Sequence, residues 1–336
     1  MIRRFITRWR SLEAADPLRQ PAPARPGPII VCFGVVDEAD IIEYFIEYHL
    51  ALGVDGFVAT DVGSTDGTLA VLDRYARRGR LHLLRDSDPA APRAGYDGYV
   101  MVKAARDVYG ADWCLCCDAD EFWAFGGQDA PAYFASAPSP IITFPRYNMV
   151  PSGEAQSGRL LHFTEFSLLA RQPLDFSYDC RRIDERETVD ALLSDYPPEI
   201  LRRVAPKVAL RSGTISSLGV GFHDAVPIDP AHSPHEEPLG YIAHFPVRSP
   251  AQWQHKAELV SRYLVNNPPQ LDPDTGYPRI NLHWVRLRTI LAHGLVEQDF
   301  ARQVLSSEEI DAGLSSGILS RDDQVAPRLA RLGLAR

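Results

Sequence analysis

Three carboxylates follow directly on an apolar run in WCLCCDADEFW at 113–123, namely Asp118, Asp120 and Glu121. Acidic side chains at the end of an almost wholly apolar strand are costly unless a metal or an opposite charge meets them. Alternate residues of an extended segment point the same way, so Asp118 and Asp120 can present two carboxylates to one hard divalent cation, Mn²⁺ or Mg²⁺. A cation held there can bridge the oxygens of a diphosphate and neutralise the charge that grows as a glycosidic bond to it breaks. That chemistry is what transfer of a sugar from a nucleotide-diphosphate donor requires. A bare Asp-x-Asp pair recurs in many solvated turns, and its position after a buried strand is what gives it weight here.

Such a strand needs a scaffold, and the chain before it supplies one. IIVCFGVV at 29–36 is a continuous β-branched and apolar run, and residues 37–53 place Ile41, Ile42, Phe45, Ile46, His49 and Leu50 at helical spacing before Gly53. VDGFVAT at 54–60 is a second strand, GSTDGT at 63–68 a turn, and LAVLDRYARRG at 69–79 a second helix. LHLLRD at 81–86, a helix over 96–109 and DWCLCC at 112–117 continue the alternation. Repeated βαβ units imply right-handed crossovers and a mainly parallel, Rossmann-like sheet flanked by helices. Ligands of such sheets bind beyond the carboxyl ends of the strands, where Asp61 and Asp118 fall.

The alternation fades after Pro140 into proline-rich irregular segments with strand-like runs such as IITFPRY and KVALRS, and from Pro250 the pattern turns helical. The expected divisions are 1–28, an amphipathic helix and proline-rich linker; 29–145 and 146–265, two halves built on one sheet; and 266–336, a C-terminal helical extension. In the opening MIRRFITRWRSLE, Ile2, Phe5, Ile6, Trp9 and Leu12 recur at helical spacing among four arginines. This pattern suits either an interfacial membrane contact through residues 1–16 or a helix docked on the protein itself.

Composition narrows the class. With 336 residues, 45% of them hydrophobic, the chain can bury a large core, and a net charge of −9 argues against duplex nucleic acid as a partner. No apolar run nears the twenty or so residues that span a bilayer, and no secretory signal opens the chain, so the reading is a cytoplasmic protein, peripheral at most on the inner membrane face. Five cysteines, three of them packed into CLCC at 114–117, do not make a disulfide framework and read as buried small hydrophobes.

Other motifs have plainer readings. FGVVDEAD after the first strand is neither a GxGxxG nor a GxxxxGK[ST] phosphate cradle. Asp66 and Thr68 are expected to satisfy free amides at the start of the second helix, and His49 to be a core histidine. Prolines in the loop from His223 to Glu237 prevent an HExxH-type helix.

Taken in order, DEADIIEYFIEYHLALGVD at 37–55, TDVGSTDGT at 60–68 and CDADEFW at 117–123 resemble the family 2 glycosyltransferases, and more closely their bacterial branch with NEAD, GSTDGT and DADEF motifs. The chain is also similar to the family 92 enzymes. The resemblance is dense over 29–125 and patchier beyond, where KVALRSGTISSLGVGFHD at 207–224 and IAHFPVRSPAQWQHK at 242–256 look like later blocks of that branch. It implies a GT-A glycosyltransferase fold and a UDP- or GDP-sugar donor, with 29–145 as the nucleotide-sugar half and 146–265 as the acceptor side. It assigns Asp61 to the base or ribose and Asp118 and Asp120 to the diphosphate metal, and it implicates Lys207, His223, His244, Arg248 and Lys256. A histidine suits a transition metal beside carboxylates, so His223 and His244 are both candidate ligands, while Lys207, Arg248 and Lys256 could grip a diphosphate. Asp37, also put forward as a donor-binding residue in contact with the base or ribose, stands where the branch has Asn, and Val62 where it has Asn or Asp, which bears on donor identity.

The reaction so implied is a metal-dependent, inverting hexosyl transfer to a glycan or lipid-linked acceptor, as in polysaccharide synthesis. Glu165, Asp224, Glu236 and Glu237 are candidate bases, with Asp224, beside His223, and Glu165 put forward as catalytic. The competing readings are a catalytically inactive transferase-like scaffold or carbohydrate-binding module, and a metal-dependent phosphohydrolase, which would need more metal ligands on the first strands.

Overall fold

The computed structural model describes residues 26–85, 98–153, 160–178, 186–268 and 282–334. The amphipathic segment 1–16, most of the linker after it, and Cys180 lie outside the described residues.

The strands are β1 (Ile29–Val35), β2 (Gly56–Asp61), β3 (Leu81–Arg85), β4 (Trp113–Asp118), β5 (Glu121–Ala124), β6 (Ile141–Phe144), β7 (Arg146–Asn148), β8 (Leu168–Ala170), β9 (Lys207–Arg211), β10 (Ile215–Leu218), β11 (Ala225–Pro227), β12 (His235–Glu236), β13 (Tyr241–His244) and β14 (Leu319–Arg321). The helices are α1 (Ile42–Ala51), α2 (Thr68–Arg77), α3 (Gly98–Tyr109), α4 (Ala130–Ala135), α5 (Arg186–Ser194), α6 (Pro250–Asn266), α7 (Leu282–Ala292), α8 (Val296–Gln303), α9 (Ser307–Ser316) and α10 (Val325–Arg331).

A seven-stranded sheet runs in the order β12-β6-β9-β4-β1-β2-β3. Strands β4, β1, β2 and β3 are mutually parallel, and only β9 runs against its neighbours β4 and β6. The architecture is therefore mixed α/β with a mainly parallel sheet flanked by helices. Every residue of β1 is buried, as expected of a central parallel strand covered on both faces. One face packs Phe33, Phe45, Phe57, Leu72 and Trp113 beneath α1 and α2, and the other packs Cys32, Cys114 and Cys116 with Met101 and Val102 of α3. Cys32, Cys114, Cys116 and Cys117 are all buried and unbridged, so they serve as small apolar side chains.

Two details differ from the sequence pattern. Residues 37–41 form a turn and not the first turn of α1, and Asp37 there takes a left-handed φ of 51°, a conformation Asp and Asn tolerate better than most residues. The run IITFPRY is two strands, because Pro145 has no N–H to continue a ladder; β7 passes to a second, three-stranded sheet in the order β5-β13-β7. No periodicity announced β5 and β13, four residues each.

The C-terminal helices form their own apolar cluster around Trp253, Val260, Leu264, Val285, Ile290 and Phe300, and β14 pairs with β8. At its centre the Arg286 guanidinium grips Asp299, which also accepts from Trp253 Nε1 at 3.0 Å. No helix among the described residues is long and apolar enough to cross a membrane.

Asp299 is fully buried, so Asp299→Ala strands the Arg286 charge and should cost about 3–5 kcal/mol of unfolding free energy in urea titration. A loss under about 1 kcal/mol would mean that water reaches the guanidinium.

Candidate functional site

At the carboxyl end of β4 the chain turns at Ala119 and Asp120 before β5 begins. This turn breaks the alternation expected for an extended DADEF, and Asp118 and Asp120 meet different partners. Asp118 Oδ2 accepts from Lys207 Nζ at 2.6 Å, and that ammonium, with no exposed surface, also donates to Gly221 O at 2.8 Å and lies 3.3 Å from Glu121 Oε2. Burial works against ionisation of Asp118, but Lys207 outweighs it and holds the carboxyl below its usual range. Lys207, expected to grip a diphosphate, is committed to this buried pairing. Glu121, also without exposed surface, is further tied by the Asp118 amide at 2.9 Å and by Arg146.

Asp120 faces the other way. Its carboxylate, Glu121 and His244 offer ligand atoms that all lie within 4.8 Å of one another, the one such group of His, Cys, Asp and Glu among the described residues. Cross-strand pairing creates it, since His244 of β13 stands opposite Glu121 of β5 and beside Asn148 of β7. Asn148 Nδ2 donates to the carbonyls of Ile200 at 3.0 Å and Arg202 at 3.3 Å, which leaves Asn148 Oδ1 to accept from His244 Nδ1 at 2.7 Å. The proton is thereby placed on Nδ1, and the Nε2 lone pair points at Asp120 Oδ2, 3.4 Å away. Burial lowers the His244 pKa against the pull of Asp120 and so favours the neutral imidazole. Two acceptors then face each other across a gap that a divalent cation would fill, and the donor set of one imidazole and two carboxylates suits Mn²⁺ or Mg²⁺.

Cations surround this group. Lys256 Nζ lies 3.9 Å from Asp120 Oδ2 and keeps 28% of its side chain exposed. Arg248 also lies 3.9 Å from Asp120, but its guanidinium is 1% exposed and its donors are spent on Asp40, Glu38 and Phe245 O. The resemblance suggested a diphosphate ligand, whereas the geometry makes Arg248 a brace under the acidic floor. Burial pushes the Glu38 carboxyl up to about 7, with Asp120 and Asp40 adding to the rise and Arg248 opposing it.

The ends of β1 and β2 are tied together on the far side of β4. Asp37 Oδ1 accepts from the Thr65 amide at 2.6 Å, and Oδ2 lies 2.9 Å from His255 Nε2. Asp37 is thus occupied in pinning the GSTDGT loop. Asp61, partly exposed at the end of β2, accepts from the amide and hydroxyl of Ser64. Asp66 takes the Thr68 amide at 2.9 Å and the Ala39 amide at 2.9 Å, and Thr68 Oγ1 takes the Glu38 amide at 2.8 Å, so both act as structural latches. His49 is buried between Phe45 O and the Trp123 amide, as a core histidine should be.

The remaining candidates stand apart from the triad. His223 hydrogen-bonds Pro206 O at 2.7 Å through Nδ1 and is not a member of the triad. Asp224 is exposed and folded against Gly219, where a Cβ would sit 1.5 Å from its Oδ1. Glu165 closes a capping box with His162, Glu236 is exposed on edge strand β12, and Glu237 accepts from Tyr133 and two backbone amides. Sequence reasoning missed Asn148, Arg146, Glu38 and the ligand role open to Glu121. Only Glu121 had a signal, as the third acid of DADEF; the others reach the site through β7 and the turn after β1.

No family model and no curated protein matches this sequence. Among solved structures the chain is similar to S. aureus TarS, at 11% identity and a TM-score of 0.32, over 84% of this chain and 44% of that one, so it spans less than half of that protein. It is also similar to S. aureus TarS 1–349 in complex with UDP-GlcNAc, at 13% identity and a TM-score of 0.31 over 82% and 73% of the two chains. A third is glucosyl-3-phosphoglycerate synthase from Mycobacterium tuberculosis in complex with Mn²⁺, uridine-diphosphate and glucosyl-3-phosphoglycerate, at 17% identity and a TM-score of 0.32 over 71% and 80%. Likenesses this distant say nothing of what this chain binds.

If the group binds a divalent ion, removing the residue that sets the His244 tautomer weakens that binding while leaving the three candidate ligands in place. Asn148→Ala is expected to raise the Mn²⁺ dissociation constant about 10- to 100-fold in an electron paramagnetic resonance titration. An unchanged constant would show that His244 does not ligate the ion.

Proposed function

We propose that the protein is a metal-dependent glycosyltransferase of the GT-A type that takes a sugar from a nucleotide-diphosphate donor. The observation that carries this reading is the facing pair of acceptors, His244 Nε2 and Asp120 Oδ2, with Glu121 beside them, at the carboxyl end of a central parallel strand. Ligands of open α/β sheets bind at that edge.

Asp120, His244 and Glu121 would hold Mn²⁺ or Mg²⁺, which would supply charge neutralisation to a departing diphosphate. The protein's own contributions follow from the contacts described. Asn148 holds the imidazole in the tautomer that offers Nε2. Lys256, partly exposed and with one backbone acceptor at 3.2 Å, has donors left for diphosphate oxygens. Asp61, at the end of β2, would meet a ribose or base, beside the loop latched by Asp37 and Asp66. The acceptor, a glycan or lipid-linked sugar, would approach from the side of β7, across the triad from Asp61. The resemblance in sequence supports inversion and a hexosyl donor.

Isothermal titration of UDP and GDP with Mn²⁺ present is expected to give micromolar binding to at least one of them, lost in EDTA and weakened tenfold or more in Asp120→Asn. Equal binding with and without metal, or none of either nucleotide, would contradict the proposal.

A further inference from the structure

The side chains of Arg248, Arg286 and Arg146 are 1%, 3% and 10% exposed, and the first two are saturated. In Arg248 all three guanidinium nitrogens donate, to Asp40, Glu38 and Phe245 O, and in Arg286 all three donate, to Asp299 and Leu192 O. Arg146 is the exception. Its side chain is 10% exposed, Nη1 alone is engaged, with Glu121, and Nε is buried with no partner. Nη2 donates to nothing among the described residues. A guanidinium has five N–H donors, and leaving a buried one unmet costs about 1–3 kcal/mol. Glu121 takes one prong and leaves free the Nε–Nη2 edge, on which an oxyanion binds with two parallel hydrogen bonds.

The position of Arg146 narrows what that oxyanion belongs to. It follows Pro145 at the end of β6, and β6 stands three strand positions from β1 in the sheet. At about 4.8 Å per strand that is roughly 14 Å from the β1 end, and Asp61 on β2 is one strand farther. Between them lies the Asp120–Glu121–His244 group. The nucleoside side and Arg146 are therefore on opposite flanks of the triad. On the Arg146 flank burial, with the charges of Arg202, Lys256 and Arg146, pushes the His283 pKa down to about 3, so that imidazole adds no charge of its own. The ion pairs there, Glu121 with Arg146 and Glu199 with Arg202, offset one another in charge, so what Arg146 offers a ligand is its unmet donors.

We propose that Arg146 binds an acidic group of the acceptor, a phosphate or carboxylate carried near the hydroxyl that receives the sugar. This rests on the transferase reading above and names the acceptor class for it. A donor diphosphate offers the same oxyanion chemistry, so the two sources must be separated by experiment.

The test follows the Arg146 Nε–Hε resonance in ¹⁵N-labelled full-length protein, assigned by its disappearance in Arg146→Gln. Mg²⁺ and UDP are added to saturation first, and methyl phosphate is then titrated. The expected result is a resonance little moved by Mg²⁺–UDP and shifted saturably by methyl phosphate, with the methyl phosphate dissociation constant raised about tenfold in Arg146→Gln and less in Arg146→Lys. A resonance moved by Mg²⁺–UDP and indifferent to methyl phosphate would assign Arg146 to the donor diphosphate. Indifference to both would leave it only as the partner of Glu121, and either result overturns the proposal. If UDP fails to bind at all, the donor reading fails, while methyl phosphate still reports on Arg146.

Discussion

Burial of a full positive charge is the constraint around which the site is organised. Lys207 has no exposed surface, and an ammonium in such a place is tolerable only if carboxylates and carbonyls replace its water. Asp118, Glu121 and the carbonyl of Gly221 do so. These contacts join the end of β4, the start of β9, the first residue of β5 and the turn before β11, segments that share no local sequence pattern. The turn at 119–120 follows from this pairing, because Asp118 is drawn to Lys207 while Asp120 is left to face His244.

The second half of the acidic cluster is organised by the same electrostatics at a looser setting. Arg248 and Lys256, on either side of the start of α6, approach Asp120 to 3.9 Å without donating to it, and Arg248 spends its donors on Glu38 and Asp40. Across both halves the carboxylates of Glu38, Asp40, Asp118, Asp120 and Glu121 outnumber the cations Arg146, Lys207, Arg248 and Lys256 by one. Burial raises the Glu38 carboxyl, and the nearby Asp120 and Asp40 charges add to the rise. A divalent ion at Asp120 would reverse the local sign and favour an anionic ligand, which is the electrostatic sense of the proposed donor site.

Much of this was legible in the residues. The β1-to-β4 half was readable because its strands are continuous apolar runs and its helices carry a 3.6-residue period, and the acids at strand ends pointed to the edge where the carboxylate cluster gathers. The rest was not, for identifiable reasons. A two-residue turn inside DADEF has no signature distinguishing it from extended chain, so the separate fates of Asp118 and Asp120 were hidden. Strands β5, β7 and β13 are three or four residues long, too short for period to speak, and it is their lateral pairing that sets Glu121, Asn148 and His244 in one row. Arg248 and Lys207 looked like phosphate ligands because charge type is visible in sequence and burial is not.

The central claim is that Asp120, Glu121 and His244 together hold the divalent ion on which a nucleoside diphosphate is carried. The most direct measurement is anomalous diffraction at the manganese edge from crystals soaked with Mn²⁺ and UDP. The account expects a peak about 2.0–2.3 Å from His244 Nε2 and an Asp120 oxygen, with diphosphate density on its open side. A peak seated on Asp118 or His223 instead, or UDP bound with no anomalous signal near Asp120, would contradict it.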